Sequence, residues 1–364
     1  MTLQGSWALV LLTAFGLTVA GVPLAARLAQ RWNAIDYPGP RKLHARPVPR
    51  LGGLAILGAA ILTVGFFVDG PVLREGLAIL GAGGLVAFVG FLDDMGRLGS
   101  QVKLFFAMPV AALILVAAGI RAEVTPWVLL NVGITFFWVV GIICAFNLLD
   151  GMDGLAAGIS AIASLHFLIL AALGHQMFVA LLASAVLGIS LGFLPYNFHP
   201  AKVFMGDGGA MFLGLMMATL GLKIRVSDQV AWAQLILPVL VLGVPIFDTA
   251  LVIISRLRRG LIPFASPGKD HTFHRLHELG WDQRRVVFLL YGTGALLGAL
   301  AVGLVAVRAS LAVWALTAAF LTMVGMNAVI LFERLPFERQ EGVKWSALLE
   351  LAVGQRFGPT GRGR

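Results

Sequence analysis

At 364 residues the chain is long enough for one large or two ordinary soluble domains, but 59% of it is hydrophobic, only 12% is charged, and its mean hydropathy is +0.91. Those values exclude an ordinary soluble globule, and the single cysteine, Cys144, lies inside an apolar run and excludes a disulfide framework. The formal charge of +9, from 27 Lys and Arg against 18 Asp and Glu, is explained by membrane topology and anionic headgroups, and no nucleic-acid partner is expected.

Several apolar stretches reach the roughly 20 residues that cross a bilayer core, so the expectation is an all-α polytopic integral membrane protein. Eleven transmembrane helices are predicted at about 6–28, 51–68, 76–92, 104–120, 126–146, 156–174, 177–195, 210–222, 231–255, 287–307 and 311–332. The first is read as a span and not as a signal peptide, because it lacks a basic n-region and a small-residue cleavage site before a polar domain. Residues 1–332 form one transmembrane domain with its site in the loops of one face, and residues 333–364 a cytoplasmic tail whose Gly-Pro-Thr-Gly-Arg-Gly-Arg end has a disordered composition.

Orientation follows from the basic residues. If the first span runs from outside to inside, 22 of the 27 Lys and Arg fall on inside segments, which places the N-terminus outside and the C-terminus in the cytoplasm. The loops after spans one, three, five, seven and nine then share the cytoplasmic face. They hold residues 41–53, Asp93-Asp94, Asn147 to Gly154, Asn197 to Gly209, and Arg256 to Arg285.

Acids at the ends of apolar runs are costly, roughly 2.5–3.5 kcal/mol each at membrane depth on insertion scales, and suggest a site. Asp93-Asp94 by itself reads equally as a solvated helix end. Asn147, Asp150 and Asp153 have i, i+3, i+6 spacing, which on a helix lines three oxygen-bearing side chains along one face, while Gly151 and Gly154 allow a break that lets backbone approach a ligand. Gly206-Asp207-Gly208-Gly209 has a plain reading as a turn and cap before an apolar helix.

Taken together the acids suit a hard divalent cation, since Mg²⁺ takes oxygen ligands, often only one or two carboxylates, and completes its shell with water and phosphate. Zinc is disfavoured by the lone cysteine and scattered histidines. The ninth span ends in Pro245-Ile-Phe-Asp248 and leads through Arg256, Arg258 and Arg259 to Asp270-His271-Thr-Phe-His274-Arg275; two histidines beside an Arg cluster suit phosphate contact or proton handling. The early loop from Asp36 to Gly53 pairs proline turns with Arg41, Lys42, His44, Arg46 and Arg50, which favours a positioned anion site.

These segments carry a resemblance. Asp-x-Pro-x-x-Arg-Lys-x-His with its Pro-x-x-Gly-Gly end, Asp-Asp, Asn-x-x-Asp-Gly-x-Asp-Gly-Leu, Met-Gly-Asp-x-Gly, Pro-x-x-Asp and Asp-x-x-x-His occur in order over residues 36 to 276. The chain resembles the polyprenyl-phosphate N-acetylhexosamine-1-phosphate transferase superfamily, in particular the WecA/TagO-type bacterial branch that starts O-antigen, enterobacterial common antigen, teichoic acid or arabinogalactan synthesis.

The resemblance implies a Mg²⁺-dependent enzyme of the bacterial cytoplasmic membrane, with Mn²⁺ as a substitute. It would transfer a sugar 1-phosphate, GlcNAc-1-phosphate first among the choices, from a UDP-N-acetylhexosamine to a polyprenyl phosphate such as undecaprenyl phosphate, releasing UMP at the cytoplasmic face; a homodimer is compatible with it. It further implies Asp207 and Asp150 as metal ligands and Asp93, Asp94, Asp150, Asp153, His271 and His274 as catalytic groups. Lys42, His44, Arg46, Asn147, Arg258 and Arg275 are implied as substrate-binding. Phe273 stands where the family has the middle histidine of a His-x-His-His loop, and Gly209-Ala210 replaces the common Gly-Ser. The missing histidine run argues against a phospho-MurNAc-pentapeptide transferase, which remains the alternative ahead of a membrane transporter.

Overall fold

An apolar segment away from water satisfies its own backbone N–H and C=O groups most simply as a helix, and the computed structural model is mostly helical. It describes residues 6–39, 44, 46–98, 100–225, 233–263, 268–335 and 337. Helix α1 (Ser6–Arg31) leads into a short antiparallel hairpin, β1 (Ile35–Asp36) with β2 (Val48–Pro49), in which Ile35 pairs with Pro49 and Asp36 with Val48. There follow α2 (Gly52–Phe67), α3 (Leu73–Asp94) and α4 (Ser100–Val102), which runs through a π-helical turn, Lys103–Ala107, into α5 (Met108–Ala117). The remainder is α6 (Val128–Leu149), α7 (Leu155–Leu173), α8 (Met177–Asn197), α9 (Gly206–Lys223), α10 (Ala233–Val241), α11 (Gly243–Arg258), α12 (Thr272–Glu278), α13 (Gln283–Ala306) and α14 (Leu311–Glu333).

Each of the eleven predicted stretches contains a helix, but fewer are long enough to span. Among the described residues seven helices have the length and composition to cross a membrane, and eight if α10 and α11, bent by 85° to each other, count as one broken span. The bend falls between Pro238 and Pro245, each of which lacks the N–H that an unbroken helix needs. Gly52–Phe67 and Lys103–Ala117 are shorter apolar helices; at 1.5 Å per residue, the 16 residues of α2 reach only about 24 Å against a core of about 30 Å.

Helix α9 is the centre of the bundle, with every residue from Gly208 to Leu222 buried, and it packs on α2, α3 and α6. At the other extreme Trp314 is the only buried residue of α14, whose Leu316, Phe320 and Met326 point outward, as expected of a helix facing lipid. The predicted tail lies outside the described residues beyond Phe337.

Candidate active site

The site is assembled by backbone contact between remote segments. Phe204 N donates to Pro49 O at 2.8 Å, Gly52 N to Phe204 O at 2.9 Å and Gly53 N to Met205 O at 2.9 Å, so the chain before α9 lies along the chain entering α2. A Cβ at Gly53 would lie 2.6 Å from Gly209 Cα, and one at Gly90 would lie 2.5 Å from Gly208 N. Only glycine lets the first turn of α9 touch the backbones of α2 and α3. That contact places Asp207 beside the C-terminal end of α3.

There the carboxylates meet two cations. Asp94 accepts from Asp207 N at 3.0 Å and Gly208 N at 3.3 Å. Arg50 sets its Nε 3.0 Å from Asp94 Oδ1, its Nη2 3.3 Å from Asp207 Oδ1 and its Nη1 3.8 Å from Asp36 Oδ1. Lys103, at the start of the π-helical turn, donates to Asp93 Oδ2 at 2.7 Å and also to Asp207 Oδ2. His44 bonds Asp36 at 2.9 Å and the Arg46 carbonyl at 2.8 Å, with its ring edge-on to Phe204. Asp150 ends α6 within the field of Asp207, Arg50 and Asp94; burial first, and then Asp207, push its carboxyl well above the ordinary range.

The donor set fits a hard divalent ion. Oδ2 of Asp93 and Oδ2 of Asp207 converge on one ammonium, so two oxygens from different helices already bracket a cation-sized position, as Mg²⁺ requires when phosphate and water supply its other ligands. Among the described residues no group of three or more His, Cys, Asp or Glu is placed to hold a metal ion by itself.

The histidine loop is a second layer. Asp248 accepts from His271 Nδ1 and Thr272 N, each at 2.7 Å. Asp270 takes Arg256 through Nε at 2.9 Å and Nη2 at 2.8 Å, and Arg259 at 2.5 Å. Those guanidinium groups outweigh the burial of Asp270, holding its carboxyl down at about 2. His274 is lowered to about 3, by burial first and then by His271, so its ring is neutral near pH 7. Phe273, fully buried, stacks on His271 with ring centroids 5.1 Å apart and lies over Gly151, which joins this loop to the turn carrying Asp150.

The other predicted residues fall differently. Asn147, Asp150 and Asp153 do not share a helix face, because α6 stops at Leu149 and α7 starts at Leu155, after Gly154 at φ +78°. Asp153 accepts from His199 Nδ1 at 2.8 Å and Ala201 N at 3.0 Å, an internal tie. Arg275 is likewise occupied, with Ser255 Oγ and Glu333 at 2.9 Å and the Phe332 carbonyl at 2.7 Å. Asn147 is half-buried one turn before Asp150, Arg46 and Arg258 are exposed, and Lys42 lies outside the described residues. Arg50, read in the sequence only as one of the early loop's cations, and Lys103, not singled out in advance, both lie in the acid cluster. A lone lysine at the start of an apolar run, nine residues after Asp94, was the available signal for the second.

Comparison with known proteins adds an independent observation. Residues 77–225 match the family described as Glycosyl transferase family 4. The chain is 36% identical over 282 residues to the "Probable undecaprenyl-phosphate N-acetylglucosaminyl 1-phosphate transferase" of Bacillus subtilis, covering 75% of this chain and 77% of that one. It is 35% identical over 320 residues to the decaprenyl-phosphate N-acetylglucosaminephosphotransferase of Mycobacterium leprae, covering 78% and 80%. It is also 34% identical to the phospho-N-acetylmuramoyl-pentapeptide-transferase of Halalkalibacterium halodurans, covering 81% and 96%.

Proposed function

Because the chain belongs to glycosyl transferase family 4, we propose that it transfers GlcNAc-1-phosphate from UDP-GlcNAc to a polyprenyl phosphate, giving a polyprenyl diphosphate sugar and UMP. The observation that carries this reading is the convergence of Asp93, Asp94 and Asp207, from α3 and α9, on Arg50 and Lys103. The names of the relatives support the lipid phosphate acceptor.

In the proposed reaction an oxygen of the lipid phosphate attacks the β-phosphorus of the nucleotide sugar, the β-phosphorus to bridging-oxygen bond breaks, and UMP leaves. Such a transfer needs in-line placement and charge neutralisation more than covalent help from the protein. A divalent cation, Mg²⁺ or Mn²⁺ in its place, held by Asp207 and Asp93 with Asp150 beside them, would neutralise the diphosphate oxygens. Arg50 and Lys103 would bring two positive charges to the arriving phosphate oxygens. His271, whose Nδ1 is held by Asp248, would turn its Nε2 to the diphosphate, and neutral His274 would add a further hydrogen-bonding nitrogen. The orientation that puts this end in the bacterial cytoplasm rests on the 22 of 27 basic residues on that side.

The test is UMP release by purified protein from a panel of UDP-sugars with undecaprenyl phosphate, with and without Mg²⁺. UDP-GlcNAc should be used and Mg²⁺ required, and Asp207→Asn should abolish release while the protein still inserts. The relative aligned over 96% of its length favours one second reading, a peptide-bearing UDP-MurNAc substrate; turnover of that nucleotide in preference to UDP-GlcNAc would select it. Solute uptake into vesicles without UMP release would instead indicate a transporter.

A further inference from the structure

The two adjacent acids at the end of α3 have different surroundings. The Asp94 side chain has 0% exposure, whereas that of Asp93 has 20%. Both oxygens of Asp94 are engaged: Oδ1 takes Asp207 N and Arg50 Nε, and Oδ2 takes Gly208 N. The donors from α9 are two of the N–H groups that a helix leaves unpaired in its first turn. That helix has no cap of its own, since Met205 occupies the cap position and offers no side-chain acceptor. Gly206, at φ +70°, leaves the room that Asp94 enters, for a Cβ there would meet the Asp94 carboxylate.

We infer that Asp94 is a positioning residue, a helix cap supplied from α3 to α9 that fixes Asp207, and that Asp93 is the member of the pair that faces the reacting groups. With three donors and no exposed surface, Asp94 has no free edge for a lipid phosphate or a proton in flight. Asp93 keeps one oxygen clear of Lys103 and retains an open side. Arg50 completes the frame by holding Asp94 and Asp207 through one planar guanidinium, geometry that a lysine does not reproduce. The negative end of the cap also meets the positive end of the α9 dipole. The acid pair thereby divides into one group that builds the site and one that works in it, a division that rests on the transferase reading for its catalytic half only.

The experiment uses the full chain in detergent, with Mn²⁺ as a spectroscopic probe read by electron paramagnetic resonance and UMP release measured against Mn²⁺ concentration. Asp94→Asn keeps one acceptor and should weaken Mn²⁺ binding by up to about tenfold, the scale of a lost cap, while turnover at saturating Mn²⁺ stays within tenfold of wild type. Asp93→Asn should lose more than a thousandfold at any Mn²⁺ concentration. Equal losses in the two variants at saturating Mn²⁺ would overturn the division of roles. Melting temperature tests the cap whatever the activity: Asp94→Ala should melt several degrees below Asp93→Ala, and equal melting would overturn it. Absence of UMP release by the wild-type protein would count against the transferase reading and leave this melting comparison to decide the cap.

Discussion

The ring of Phe273 rests on Gly151, its Cζ only 2.6 Å from where a Cβ at that glycine would be. The histidine loop and the Asp150 turn are therefore held at a separation that a methyl group cannot fit. Gly151→Ala should push the loop away and lower turnover by at least tenfold, with a smaller effect on melting because the turn is at the bundle edge. Phe273→His, which would supply the family's middle histidine, puts a polar ring in an apolar slot and should destabilise by roughly 1–3 kcal/mol unless its nitrogens find partners. Denaturant titration of both variants checks the pair; an unperturbed Gly151→Ala enzyme would show that the loops are not in register as described.

Acid should weaken this region in two windows. His274 is lowered from 6.5 to about 3 in the folded chain, so the unfolded chain binds the proton first and stability falls as pH drops from about 6.5 toward 3. Asp270, lowered from 3.8 to about 2 by its arginines, contributes roughly 2 kcal/mol that is present above pH 3.8 and lost as pH falls through 2. Melting curves from pH 7 to pH 4 should therefore flatten in His274→Gln and keep their slope in Asp270→Asn. The reverse pattern would mean that the two groups have been assigned the wrong environments.

Close backbone approach makes its own demand. Gly90→Ala would drive a methyl into the first turn of α9 at Gly208, and overpacking of this kind costs typically 1–3 kcal/mol. The variant should melt lower and also lose Mn²⁺ affinity, because Asp207 moves with that turn. Gly84→Ala, on the same helix but with nothing within 4 Å of the added carbon, is the control that should change neither. Loss of melting temperature without loss of Mn²⁺ affinity would separate the packing from the site.

The candidate site was legible in the sequence to the extent that acids at apolar ends are costly, although each segment alone also read as a solvated end or a cap. Asp93, Asp94, Asp150 and Asp207 do come together at one end of the bundle. Of the two readings open for Asn147, Asp150 and Asp153, the shared helix face failed and the break held, since α6 stops at Leu149 and the left-handed Gly154 leads into α7. The partner of Asp153 is His199, 46 residues away, a distance that no local spacing encodes. Lys103 was hidden for a different reason: as one of 22 basic residues on a single face it looked topogenic, and only the fold brings it between two carboxylates. Hydropathy located eleven apolar stretches correctly as helical but did not give their lengths, because the broken α10–α11 pair passes together as one span and α2 is apolar yet short.

Lys103 also makes a prediction about the resting protein. Its ammonium is placed between Asp93 Oδ2 and Asp207 Oδ2, the position that two-carboxylate coordination would give a divalent ion. Lysine and metal therefore compete for the same charge, and the lysine must swing aside or share when an ion enters. Lys103→Gln should leave two nearby carboxylates without their cation and lower the melting temperature in the absence of metal. Added Mg²⁺ or Mn²⁺ should then raise melting more in this variant than in wild type, because an ion that binds only the folded state stabilises by RT ln(1 + [L]/Kd), and removal of the competitor lowers Kd. Turnover should nonetheless fall by about a hundredfold, since the positive charge that meets the arriving phosphate is gone. Melting shifts across a Mg²⁺ titration, set beside UMP release from the same preparation, separate the two effects. A metal-induced shift no larger in Lys103→Gln than in wild type would mean that the divalent ion binds elsewhere than between Asp93 and Asp207.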